Sequence, residues 1–137
     1  MPWARARPVA GTVPAAARFR RVACVIADFL DLAHQLEEVE QHDRERWSAF
    51  TVGGRGFGYL WPRTSTVGLK QTIAEQLALV AERPEVFEIQ FTSGGFGWVV
   101  VRLHGVERDE LAELTFEAWR LTAPAGLVAA RADRLPL

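Results

Sequence analysis

Few residue sets in this chain could carry out a reaction, but several could hold a ligand. Lys70 is the only lysine. It stands where an apolar alternation ends and a helical pattern begins, beside backbone N–H groups that favour anions, so it is a candidate phosphate contact. The competing reading is a solvated strand end or an ion pair with Glu75. Arg55 and Arg63 flank two turn signals, and arginine is the commonest partner of phosphates and groove edges. Arg102 and Arg120 complete the candidate nucleic-acid set, although Glu117 offers Arg120 an ion pair. Tyr59, Trp61, Trp98 and Trp119 have rings that can stack on a ligand or a base. At least two of the four are expected in the core. Trp61 and Trp98, near strand ends, are expected to wall a ligand pocket.

Residues for catalysis do not assemble. Gly53 to Gly58 lacks the helix that follows a dinucleotide loop, and Ser93 to Gly97 lacks the Gly-Lys-Ser/Thr ending of a phosphate loop. There is no Gly-x-Ser-x-Gly elbow and no His-Glu-x-x-His helix. Glu37-Glu38 and Asp109-Glu110 fall at helix ends or on solvated faces. His34, His42 and His104 do not converge at ligand spacing, even with Asp43 and Glu45 close to His42. Cys24, the single cysteine, excludes an intramolecular disulfide and a cysteine-rich zinc site. It is expected on the first helix as an inert small hydrophobe. No catalytic residue, cofactor or metal is expected, and the chain does not read as an enzyme.

The 137 residues suffice for one domain, and 49% hydrophobic with 24% charged residues is a globular balance. Fifteen Arg against one Lys fits a GC-rich bacterial genome better than a function. The net charge of −1 is unevenly spread. Residues 1–21 hold five Arg and no acid, whereas residues 22–137 hold eleven bases and seventeen acids, a balance of −6. Phosphate binders are usually basic, so this balance argues against nucleic acid. Asp28 and Asp31 interrupt the apolar run after Arg18, Arg20 and Arg21, which speaks against a signal peptide. No run is long enough for a membrane helix. A cytoplasmic home is expected.

The elements that must position these residues follow from periodicity. Residues 1–21 read as a basic, irregular tail rich in Pro and Gly. Val22, Val25, Ile26, Phe29, Ala33 and Leu36 recur at helical spacing, so a helix is expected to end near Glu38. The polar stretch from Glu37 to Arg46 reads as a loop. Trp47–Val52 alternates, and Gly53-Gly54 is a tight-turn signal. On the return strand Phe57, Tyr59 and Trp61 are expected on one face. Val67 and Leu69 mark a third strand. Thr72 and Glu75 form a capping-box pattern opening a helix to about Arg83, with Ile73, Leu77 and Val80 inward, and Pro84 stops it. Residues 86–91 and Trp98–Leu103 are two more strands. A helix over about 108–122 buries Leu111, Leu114, Ala118 and Leu121. Pro124 opens a short last helix to Arg131. The class is α+β, a single domain over 22–132 with a 133–137 tail. Its order is α-β-β-β-α-β-β-α-α, with an antiparallel sheet packed against helices.

This order and four local strings resemble the MmcQ/YjbR family. The strings are Phe50-Thr-Val-Gly-Gly-Arg-Gly-Phe57, Val67-Gly-Leu-Lys70, Gly97-Trp-Val-Val-Val-Arg-Leu103 and Ala118-Trp-Arg-Leu-Thr-Ala-Pro124. With the helices between them they span roughly residues 22–130. The resemblance implies an α+β fold of the kind compared with frataxin-like and secretion-chaperone-like domains. It also implies a "double wing" DNA-binding surface built from hairpins. Where family members often place basic residues after the proline of the last helix, this chain has Ala125-Gly126. Two readings follow. One is a DNA-binding module using Arg55, Arg63 and Lys70. The other is a binder of a protein or small molecule through an aromatic-walled groove.

Overall fold

The computed structural model describes residues 23–137; the basic segment 1–21 lies outside them. Four helices and six strands follow in order: α1 (Ile26–His34), β1 (Val39–Asp43), β2 (Ser48–Val52), β3 (Arg55–Trp61), β4 (Thr66–Thr72), α2 (Ile73–Glu82), β5 (Phe87–Ser93), β6 (Phe96–Arg102), α3 (Arg108–Arg120) and α4 (Ala125–Arg131). The strands form one antiparallel sheet in the order β1-β2-β3-β4-β6-β5. The expected α+β class holds, with one strand more than periodicity indicates. That strand is β1, in the stretch read as a loop. It pairs Val39 with Val52 and Asp43 with Ser48. An edge strand needs only one apolar flank, so Gln41, His42 and Asp43 leave no alternation to detect.

The core lies between the sheet and the helices. Phe29 of α1 meets Phe50 of β2 edge to face at 5.0 Å. Val67, Leu69, Val99 and Val101 are buried with Leu79, Leu111 and Trp119. Burying a side chain of this size contributes about 1.5–3 kcal/mol. Trp119 is fully buried, donates its indole N–H to the Glu37 carbonyl at 3.0 Å and stacks on Phe116. The string that follows ends α3 by local bonds. Thr122 donates its hydroxyl to the Ala118 carbonyl, and the Ala123 N–H donates to the Trp119 carbonyl. Residues 133–137 fold back: the Leu137 N–H donates to Gln35, and Arg108 donates to the Leu137 carbonyl.

Helix α2 is rotated from its expected face. Ile73 and Leu77 are exposed, while Gln76 and Leu79 are buried. Gln76 is drawn inward because its amide donates to the Phe91 and Trp98 carbonyls, at 3.1 and 2.9 Å. Gly97 permits this, since a Cβ there would lie 2.7 Å from the Gln76 side chain. The Thr72 cap forms as expected, accepting from the Glu75 N–H at 3.1 Å. Cys24 precedes α1 instead of lying on it, and is buried with its N–H bonded to the Val106 carbonyl. No helix among the described residues is long and apolar enough to cross a membrane.

Candidate functional site: the uncovered sheet face

Two irregularities decide which residues face away from the helices. The β2–β3 register shifts between Phe50 and Thr51, which pair with Gly58 and Gly56 and leave Phe57 as the extra residue. A bulge inserts one residue and reverses the alternation beyond it. Phe57 therefore stays in the core, while Tyr59 and Trp61 turn to the opposite face, half-buried. The expected common face for Phe57, Tyr59 and Trp61 is thus corrected. A second shift, between Ile89 and Phe91, sets Phe91 opposite Trp98.

The result is a continuous aromatic strip across the sheet. Trp61 and Tyr59 have ring centroids 6.2 Å apart, Tyr59 and Trp98 5.4 Å, and Trp98 and Phe91 5.4 Å. None of the four belongs to the helix-side core. Trp98 is only 7% exposed and forms the floor of the strip, whereas Phe91 is 40% exposed.

Beside the strip runs an open groove of about 530 Å³, lined in part by Trp61, Val100, Thr66, Gln90, Arg46 and Arg63. A smaller hollow lies between Trp61, Tyr59, Trp47, Gln90 and Phe91. Trp61 lines both, and Trp98 lines neither. Gly68 lies beneath the Gln90 and Trp61 side chains and lines neither hollow itself. It pairs with Tyr59 on one side and Val100 on the other, and a Cβ there would lie 2.3 Å from Gln90 Oε1. That oxygen is fully occluded and accepts no hydrogen bond.

The candidate cations separate into two kinds. Arg102 pairs with Glu88 at 2.9 Å, and Arg120 holds Glu117 with two bonds of 2.6 and 2.8 Å. Both are engaged, and Arg120 on α3 is remote from the strip. Arg46, Arg55, Arg63 and Lys70 have no acidic partner among the described residues. The ion pair of Lys70 with Glu75 does not form. Burial holds the Lys70 ammonium below its ordinary value, and Arg55 pushes it the same way.

These free cations sit at two ends of the sheet. Arg63, in the turn Pro62–Thr64, and Arg46 share one end, where they line a common groove. Arg55 and Lys70 are at the other. Roughly 20 Å of strand β3 separates Arg55 from Arg63, so they are not two tips of one surface. The Gly53-Gly54 and Gly94-Gly95 turns, all at positive φ, do share an end. Of their flanking residues only Arg55 is basic.

The acids lie at the margins of this face: Glu88 lines the open groove together with Arg46 and Arg63, and Glu45 lines the adjoining hollow with the same two arginines. The four inner strands β2, β3, β4 and β6 contain no acid but hold Arg55, Lys70 and Arg102. Glu40, Asp43 and Glu88 occupy the edge strands. Glu75, Glu113, Glu117 and Asp133 line a groove beside α2 and α3, where burial raises the pKa of Glu75 and Glu113. His34 bonds Gln41 and His42 bonds Thr51.

The YjbR family model matches residues 31–121. The chain belongs to the YjbR family. Its fold is similar to the crystal structure of the Deinococcus radiodurans protein DR2400, a DUF419 domain. The two align with a TM-score of 0.66 at 18% identity, over 76% of this chain and 82% of that one. At that identity the likeness concerns the fold alone. No curated protein matches. The matched YjbR region runs from α1 through α3 and contains every residue of the aromatic strip. Four site residues escaped the sequence reading: Arg46, Trp47, Gln90 and Phe91. Only Phe91 carried a signal, as the last apolar member of β5.

Proposed function

We propose that this YjbR domain is a binding module that takes single-stranded nucleic acid, DNA first, on the uncovered sheet face. The carrying observation is the strip Trp61–Tyr59–Trp98–Phe91, with unpaired cations at both ends of the sheet. Such binders combine ring stacking, worth about 1–3 kcal/mol per base, with a cationic track for the backbone. The net acidity of residues 22–137 does not decide against this, because the inner strands hold no acid and Glu88, the acid that lines the groove, is paired with Arg102. The glycine hairpins contribute one arginine between them, so duplex gripping by two wings has less support than stacking on the face. The module binds without turnover, in the cytoplasm.

The test is fluorescence anisotropy with a labelled oligodeoxynucleotide, single-stranded and as duplex, over a salt series with the full chain. Single strand should bind more tightly. Trp61→Ala should weaken it about tenfold or more. Arg46→Gln with Arg63→Gln should reduce the salt slope by roughly 1.4, two single-strand phosphate contacts. Equal affinity for duplex with no effect of Trp61→Ala would sink the proposal. Replacing the five arginines of residues 1–21 by glutamine separates a contribution of the tail.

The groove volume of about 530 Å³ favours one second reading, a planar anionic small molecule, since such sites span roughly 300–1,000 Å³. Saturable quenching of tryptophan fluorescence by a mononucleotide, without oligonucleotide binding, would select it.

A further inference from the structure

We propose that Gln90 reads the edge of one nucleobase seated in the hollow beside the strip, and that the base it prefers is adenine. This rests on the nucleic-acid reading and adds a base preference to it. Gln90 is the extra residue of the β5 bulge, and a bulge re-aims a side chain. Trp61 approaches it from β3, with β4 and β6 between their strands. The two side chains converge over Gly68, where a Cβ would lie 2.3 Å from Gln90 Oε1 and 3.1 Å from Trp61 Cη2. They are also the two residues that line both the groove and the smaller hollow. Arg46 and Arg63 line the groove, and the rings of Trp47, Tyr59 and Phe91 line the hollow, which holds about 330 Å³. A nucleotide has the same division, an anionic phosphate and a flat base.

The amide of Gln90 is uncommitted. The buried glutamines that serve the fold donate to carbonyls: Gln71 to Leu114 at 3.1 Å, and Gln76 to Phe91 and Trp98. Gln90 makes no side-chain hydrogen bond among the described residues. Its Oε1 is occluded without a donor, whereas Nε2 is not occluded and stays open to the hollows. An occluded amide oxygen without a partner is destabilising, and a ligand donor removes that cost. The terminal torsion of glutamine is broad, so rotation offers the oxygen and the N–H groups together. A carboxamide is then a donor beside an acceptor, the pair that binds adenine through two bonds. Its N–H donates to N1 or N7, and its oxygen accepts from the 6-amino group. Adenine alone among the four bases has an adjacent donor and acceptor on both its Watson–Crick and its Hoogsteen edge, so either edge satisfies Gln90.

The test uses the full chain and labelled oligothymidylates that carry a single central adenine, guanine, cytosine or thymine, compared by fluorescence anisotropy at one salt concentration. The adenine strand should bind about tenfold more tightly than the other three. Gln90→Leu should bring the four strands to a common affinity, and Gln90→Glu, which keeps the size but loses the donor, should also lose the preference for adenine. A central purine nucleoside without the 6-amino group should lose the preference in the wild-type chain, a readout that no change of folding can produce. Equal affinity of the wild type for all four strands, or full affinity for the strand without the amino group, would overturn the role of Gln90. If Trp61→Ala still weakened all four in that case, the stacking proposal would stand without it. Binding of none of the strands would instead fail the stacking proposal itself.

Discussion

The Tyr59 ring lies against Trp98 with centroids 5.4 Å apart and planes inclined at 36°, yet the two differ in burial. Trp98 is a floor and Tyr59 a half-buried contact surface. Truncating them should therefore separate stability from binding. Trp98→Ala removes a buried indole and should cost about 3 kcal/mol in urea unfolding. Tyr59→Ala should cost under about 1 kcal/mol but lower oligonucleotide affinity by a comparable amount or more. Equal stability losses would mean that both rings serve the core.

Gly68 gives a sharper test of the groove. A Cβ there would press on Gln90 Oε1 at 2.3 Å and on the Trp61 ring at 3.1 Å. The glutamine end is flexible and its oxygen has no bond to lose, so the amide can swing into the groove. Gly68→Ala should change the unfolding midpoint by less than about 1 kcal/mol equivalent, and it should weaken ligand binding at least as much as Trp61→Ala. Unaltered binding would place the ligand elsewhere.

Much of this architecture is legible in residue order, and its failures have a common cause. The helix stripe Phe29/Ala33, the Gly53-Gly54 turn, the Thr72 cap and the Trp119–Pro124 ending all depend on near neighbours. The uncovered face does not. Two inserted residues, Phe57 and Gln90, reverse the alternation of β3 and β5, and a bulge has no signature in alternation itself. Ile73 and Leu77 mislead because the decisive contact of α2 is polar: Gln76 satisfies two carbonyls of strands that come later in the chain. The free state of Arg55, Arg63 and Lys70 is likewise a fact of tertiary placement, since acids such as Glu75 are near in sequence but not in space.

Cys24 links burial to alkaline stability. Its thiol is pushed up from 9.0 to about 11, first by burial and then by Asp28. The folded protein thus keeps a proton that the unfolded chain loses more readily. Its contribution is fully present below pH 9 and declines as pH rises toward 11. Cys24→Ala should flatten the stability curve between pH 9 and 11 relative to wild type, measured by urea unfolding. Thiol labelling of the native chain at pH 8 should be slow and should become fast on unfolding. Rapid native labelling would contradict the placement of Cys24.

The Arg83–Glu110 pair should dominate the electrostatics of folding. Arg83 caps the end of α2 and donates to Glu110 at 2.7 Å, with the Glu110 side chain only 3% exposed. The same guanidinium donates to the Gly105 carbonyl, and Glu110 also accepts the Glu107 N–H at 3.3 Å. This carboxylate therefore joins α2, the turn before α3 and the first turn of α3. Arg83→Ala strips the main counter-charge from a buried acid and should destabilise by about 3–5 kcal/mol. Arg83→Met with Glu110→Leu removes both charges and should recover most of that loss, because the desolvation cost disappears with the pair. A single variant within about 1 kcal/mol of wild type in urea unfolding would show that the pair is solvent-screened, as exposed pairs are.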